Sequence, residues 1–116
     1  MNRNMTFFGK TVLCIGAHPD DIELGCGALI ADIITQTRVV CVTLSDNQKN
    51  PLHTNLVAEH YASMSILGVQ KEHVILHDFT TRRLKESRQE ILEVMIDLNK
   101  RFQPEVVLVH TAKDIH

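Results

Sequence analysis

Four short apolar runs punctuate this chain: Thr11-Val12-Leu13-Cys14-Ile15-Gly16, Arg38-Val39-Val40-Cys41-Val42-Thr43-Leu44, Val74-Ile75-Leu76 and Val106-Val107-Leu108-Val109. The first reads as a buried strand, expected from Lys10 to Gly16. The second is a continuous β-branched run of the kind found in parallel sheets. Between the runs lie three stretches with helical signals. Pro19 sits where a first turn would begin, Asp20, Asp21 and Glu23 fill that turn, and the helix is expected to reach about Gln36. A second helix is expected from about Leu52 to Leu67, with Leu56, Ala58, Ala62, Met64 and Leu67 as its apolar positions and Gly68 as its stop. The third carries one apolar stripe, Leu84, Ile91, Met95, Leu98 and Phe102, and ends before Pro104.

Strand alternating with helix three times implies a parallel sheet with right-handed crossovers. The expected fold is α/β: a Rossmann-like, three-layer α/β/α domain with strand order 3-2-1-4. At 116 residues the chain is a single domain at most. Hydrophobic residues at 44% and charged residues at 22% permit a real core. In the order 3-2-1-4, strands one and four are neighbours where the order reverses, and open α/β sheets place their ligands there, outside the carboxyl ends of the strands. The stretch after Gly16, Ala17-His18-Pro19-Asp20-Asp21-Ile22-Glu23, lies at that rim. So does the segment that follows strand four, with His110, Asp114 and His116. The two should face each other across one crevice.

His18 and Asp21, three residues apart across a strand-to-helix turn, can both reach one ion. A neutral imidazole, a carboxylate and one further ligand are the usual make-up of a catalytic zinc site. With Asp21 as a ligand, Asp20 is left free to take a proton from the metal's water. The plainer account is that the proline and the acids merely start a helix. That account leaves His18 unexplained. For His110 the plainer reading is a satisfied histidine ending the strand, and for Asp114 and His116 a polar turn.

Other features carry less. Gly25 and Gly27 form only a GxG, too far into the helix for a dinucleotide fingerprint; close packing of helix on sheet accounts for them better. Without that glycine loop, Asp46 is a weak ribose-binding candidate. Glu59 and His60, with His53 before them, read as solvated surface. His73 and His77 read as structural. Arg82 and Arg83 could meet an anionic substrate, although a solvated loop is the simpler reading.

The net charge of -2 argues against nucleic acid as a partner, since that needs a basic face. Four Phe, one Tyr and no Trp leave no base-stacking platform. No run approaches the roughly 18 apolar residues of a membrane span. The first ten residues lack the apolar stretch of a signal peptide. Three cysteines, Cys14, Cys26 and Cys41, without a CxxC suggest no disulfide framework, so a reducing cytoplasm is the default location.

Residues Ala17 to Gly27 (AHPDDIELGCG) resemble the signature of the LmbE-like, or PIG-L, family of zinc-dependent N-acetylglucosaminyl deacetylases. The resemblance continues through Glu59 with Leu67-Gly68, through Asp78, and into Pro104 to Thr111 and Asp114-Ile115-His116. It covers nearly the whole chain, yet only the amino-terminal half of a usual family member. It implies hydrolysis of a linear amide, the N-acetyl group of an amino sugar or its conjugate, to acetate and a free amine. By the same resemblance His18 and Asp21 would bind zinc or another divalent metal, and Asp20 would be the general base on its water. The family's later motif is a His, two residues, then a second His. His116 matches the first, which helps to stabilise the oxyanion or protonate the leaving amine. The second, the third zinc ligand, would fall three residues past His116. The family often has Arg where this chain has Leu56, a departure that bears on the substrate rather than the reaction.

The expectation is therefore a single deacetylase domain over residues 1–116, truncated at its carboxyl end and part of a longer polypeptide. Residues 1–116 alone would bind zinc weakly or not at all and show no useful activity. The expected partner is a small N-acetyl amino sugar conjugate, and a homo-oligomer stays open. The competing reading is a Rossmann-like module that holds a nucleotide or sugar without catalysis.

Overall fold

The computed structural model of the chain describes residues 9–45, 56–79 and 85–110. In chain order these form β1 (Thr11–Gly16), α1 (Asp21–Ile33), β2 (Arg38–Thr43), α2 (Leu56–Ile66), β3 (Val74–Leu76), α3 (Arg88–Phe102) and β4 (Val106–His110). The four strands make one parallel sheet in the order β3-β2-β1-β4, as the alternation of the sequence implies.

Strand alternation sorts the core into two layers. Val12 and Cys14 of β1, with Val39 and Cys41 of β2, face α1 and α2, where Ile22, Ile30, Ile33 and Met64 cover them. Leu13, Val40 and Val42 face the other way and pack on Leu98 and Phe102 of α3. The opposite placement of α3 follows from topology. The chain steps outward from β1 to β3, then returns across the sheet to β4, and right-handed crossovers in opposite directions put their helices on opposite faces. Both faces of β1 and β2 are thereby buried, which is why their sequences do not alternate.

Among the described residues, three helix boundaries differ from the sequence expectation by two residues or more. α1 begins at Asp21, two residues after Pro19, because Asp20 adopts φ 80°, a left-handed conformation no helix can include. It ends at Ile33, three residues short of Gln36. α3 begins at Arg88 behind Ser87, with a short 3-10 turn over residues 85–87, and its stripe narrows to Ile91, Met95, Leu98 and Phe102 among the described residues. Ser87 and Glu90 have the spacing of a capping box, although no side-chain cap bond forms.

The buried face of α2 is also not the one its alanines suggest. Ala58 and Ala62 are exposed, while His60 and Met64 are buried and Val57, Tyr61 and Leu67 are half-buried. Those five recur at i, i+3, i+4, i+7 and i+10, a single stripe on cluster-facing turns of the helix. The reading of His60 as solvated surface is therefore corrected. Gly68 closes α2 at φ 93°, with Val69 N–H on Met64 O at 3.0 Å, the six-to-one bond of a glycine C-cap.

β4 lies on β1 with Val106 opposite Val12 and His110 opposite Gly16. Val106 and Leu108 pack on the α1 side, whereas Val107 and Val109 are 50% and 66% exposed on the α3 side. At the start of the strand the Glu105 N–H donates to Thr11 O at 2.9 Å, and the Thr11 N–H donates to Glu105 Oε1 at 3.1 Å. Arg38 ties the same end of the sheet to α3, donating to Phe102 O at 2.9 Å.

Leu98 is 2% exposed and Leu92, on the same helix, is 51% exposed. Leu98→Ala should lower the free energy of unfolding by about 2–5 kcal/mol. Leu92→Ala should stay within about 0.5 kcal/mol of the parent. Urea denaturation of both variants checks the assignment of the buried face.

Candidate active site

The carboxyl ends of the strands are held together beyond the last ladder residue. Leu44 N–H donates to Gly16 O and Ser45 N–H to Ala17 O, each at 3.0 Å, while His77 N–H reaches Thr43 O at 2.8 Å. This rim carries the loop from Ala17 to Asp20.

Asp21 organises that loop. Its Oδ2 accepts the backbone N–H of Ala17 at 3.1 Å and of His18 at 3.0 Å. The residue is buried, and the two bonds compensate its carboxylate for the lost water. They also fold the loop back on the helix start, bringing His18 Nδ1 to 3.5 Å from Asp21 Oδ2. His18 Nε2 is buried and has no hydrogen-bond partner among the described residues. An imidazole nitrogen so placed, beside an anchored carboxylate, is a suitable donor for a divalent metal.

Asp20 projects differently. It is exposed, its φ is 80°, and its carbonyl accepts Leu24 N–H at 2.9 Å to open α1. Left-handed backbone at a non-glycine residue is tolerated best by Asp and Asn, and it marks sites where position matters more than local stability. One turn thus presents one buried carboxylate with its Oδ2 engaged and one exposed carboxylate.

Gly16 makes the turn feasible. A Cβ there would stand 3.0 Å from both Asp21 Cβ and Ile22 Cγ1. Gly16→Ala should push the start of α1 off the strand, costing about 1–3 kcal/mol and weakening metal binding together with stability. Thermal melts run with and without zinc test both effects. At Gly27, by contrast, a Cβ would meet nothing within 4 Å, so close helix-on-sheet packing does not account for that glycine.

Of the residues singled out in the sequence, His18 and Asp21 come together at 3.5 Å, and Asp20 lies exposed in the same turn. The backbone of His110 lies opposite Gly16, at the same rim. Asp114 and His116 lie outside the described residues, as do Asp46, His53, Arg82 and Arg83. Among the described residues, no third His, Cys, Asp or Glu joins His18 and Asp21 to complete a metal-holding group. Glu59 is exposed. His73 stacks edge-on against Phe102 with ring centroids 6.1 Å apart, in keeping with a structural role. A groove of about 400 Å³ between β3 and α3, lined in part by His77, Phe79, Glu93 and Arg101, is separate from the His18 turn.

Two residues were missed as a pair. Glu23, in the first turn of α1, and His60, in α2, approach to 3.8 Å between Oε2 and Nδ1. His60 Nε2 lies 3.5 Å from Thr43 Oγ1. Burial pushes the His60 imidazole below its ordinary range, opposed by the negative charges of Glu23 and Asp20. The four-residue step from His60 to the buried Met64 was the available signal.

A parallel sheet with a histidine–carboxylate turn after its first strand defines an α/β domain of the class that places its ligands outside the carboxyl ends of the strands. The chain belongs to the PIG-L family, described as GlcNAc-PI de-N-acetylase, which matches residues 13–116. It is 30% identical over 109 residues to the uncharacterized deacetylase YaiS of Escherichia coli K12, covering 90% of this chain and 58% of that protein. Its structure is similar to the N,N'-diacetylchitobiose deacetylase of Pyrococcus horikoshii, solved with its inhibitor MPG, at a TM-score of 0.72 and 26% identity, over 92% of this chain and 43% of that one. It also resembles the conserved protein TT1542 of Thermus thermophilus, at a TM-score of 0.71 and 25% identity, over 84% of this chain and 45% of that one. The chain thus spans about half the length of these relatives. No helix among the described residues is long and apolar enough to cross a membrane.

Proposed function

We propose that this chain contributes the metal-binding turn and general base of a hydrolase that removes the acetyl group from an N-acetyl amino sugar or its conjugate. The observation that carries the reading is the turn from His18 to Asp21, folded by Asp21 at the strand-end crevice of a PIG-L domain. His18 and Asp21 would hold a zinc ion, or another divalent metal, together with a third ligand from elsewhere. When bound, that ion supplies Lewis acidity at the acetyl carbonyl and lowers the pKa of water there. Asp20, exposed beside the pair, accepts the proton of the attacking water. The amide C–N bond then breaks, the acetyl carbon leaves as acetate, and the amine nitrogen gains a proton. His116 is assigned to the oxyanion or to protonation of that amine, as in the family motif it matches. The three cysteines are free, and Cys14 and Cys41 are buried, which suits a reducing, cytoplasmic setting.

The test is to load the natural protein with zinc, remove excess metal, and measure bound zinc and acetate released from N-acetylglucosamine conjugates. One zinc per site and chelator-sensitive acetate release are expected. Tight nucleotide binding without metal or hydrolysis would overturn the reading in favour of a binding module.

A further inference from the structure

Glu23 and His60 carry a set of buried polar atoms that none of the roles above uses. Counting from Asp20 at the N-cap, Glu23 is the third residue of α1. A glutamate at that position ordinarily turns back to the N-cap N–H as half of a capping box. Here Oε1 and Oε2 are both buried with no hydrogen-bond partner among the described residues, and the same holds for His60 Nδ1. Oε2 and Nδ1 stand 3.8 Å apart. A bridging water would hold two such atoms about 4.5 Å apart, given bonds of about 2.8 Å. The gap is thus too narrow for water, and a side-chain shift of about 1 Å closes it to a direct bond.

We propose that Glu23 and His60 are a positioning pair, in which His60 Nδ1–H donates to the Glu23 carboxylate and the Thr43 hydroxyl donates to His60 Nε2, fixing the left-handed turn at Asp20. The inference rests on the reading of Asp20 as the general base. The chemistry of the ring matches its surroundings. A neutral imidazole has one N–H and one lone pair, and its two neighbours are one acceptor and one hydroxyl donor. The three residues also come from three elements, α1, α2 and β2. Their bonds tie the first turn of α1 to the sheet and to the second helix where Asp20 emerges. Asp20 is near enough for its charge to act on the His60 ring. A turn released from this tie leaves the metal ligands anchored by Asp21 but lets the base wander, and small misplacements of a reacting group are costly in rate.

The experiment compares His60→Asn, His60→Gln and Glu23→Gln in the zinc-loaded protein. An asparagine amide overlays Nδ1, whereas a glutamine amide overlays Nε2. His60→Asn should keep kcat within about 3-fold of the parent. His60→Gln should lose on the order of 10–100-fold in kcat, as an outer-shell partner does, with KM and zinc content little changed. Adding Glu23→Gln to His60→Gln should cost nothing further. A second readout needs no turnover: 1H–15N spectra of the His60 ring should show the Nδ1–H tautomer, and Glu23→Gln should move the Nδ1 resonance more than Nε2. Equal damage from His60→Asn and His60→Gln, additive losses, or an Nε2–H tautomer would overturn the pair. A parent protein that releases no acetate, yet shows the Nδ1–H tautomer and its response to Glu23→Gln, would uphold the pair and instead refute the deacetylase reading.

Discussion

Asp20→Asn is expected to reduce kcat by on the order of 10²–10⁴-fold, the range for loss of a general base, while zinc content and melting temperature stay at the parent values. The choice of asparagine follows from the backbone. Asp20 sits at φ 80° with its carbonyl committed to Leu24 N–H. Asparagine occupies the left-handed region about as readily as aspartate and has the same shape. The substitution therefore removes the ionisable oxygen and nothing else. Alanine would add backbone strain of about 1–2 kcal/mol to the chemical loss, and the two effects would be confounded. Steady-state kinetics on matched zinc-loaded samples decide the matter. Turnover within a few-fold of the parent would remove Asp20 as the base.

His18→Ala is expected to abolish stoichiometric zinc binding, with a loss in affinity above the roughly 10–100-fold typical of an outer-shell partner. Its effect on the apo fold should be small. The side chain contributes a buried Nε2 with no partner among the described residues, and deleting an unsatisfied polar atom removes a penalty rather than a bond. Asp21→Ala should behave in the opposite way. It deprives the Ala17 and His18 N–H groups of their acceptor, so the apo protein should melt lower as well as lose metal. Isothermal titration with zinc, paired with melts of the metal-free variants, separates the two roles. Unchanged zinc affinity in His18→Ala would place the metal elsewhere.

Most of the architecture was legible because burial on both faces leaves a plain mark. The run from Val39 to Val42 reads as an interior strand, and strand alternating with helix implied the parallel sheet and its order 3-2-1-4, whereas the side on which α3 lies came from the structure. The candidate site was legible only as residue types and position: His18, Asp20 and Asp21 lie close together in sequence, and their placement after a strand end is topological. What could not be read was torsional. Nothing in the letters Pro19-Asp20-Asp21 says that the helix starts two residues late, or that Asp21 turns its carboxylate back onto two amides. α2 was misread because alanine is at home on either side of a helix, so Ala58 and Ala62 were poor guides to its buried face. His60 was misread with it, and Glu23 passed as an ordinary first-turn acid.

The edge strand of the described sheet has a further consequence. Val106-Val107-Leu108-Val109 offers nearly the same apolar surface on either face, so sliding β4 by one residue along β1 would cost it little hydrophobic contact. Its alignment must be specified by polar groups, and the pair of bonds between Thr11 and Glu105 supplies such a specification. A slip of one position moves a strand by about 3.3 Å and inverts every side chain. The backbone of His110, which now lies opposite Gly16, would then stand at a different height on the rim. The height of His110 at the rim is therefore gauged at the far end of the sheet, by a threonine and a glutamate that never approach it.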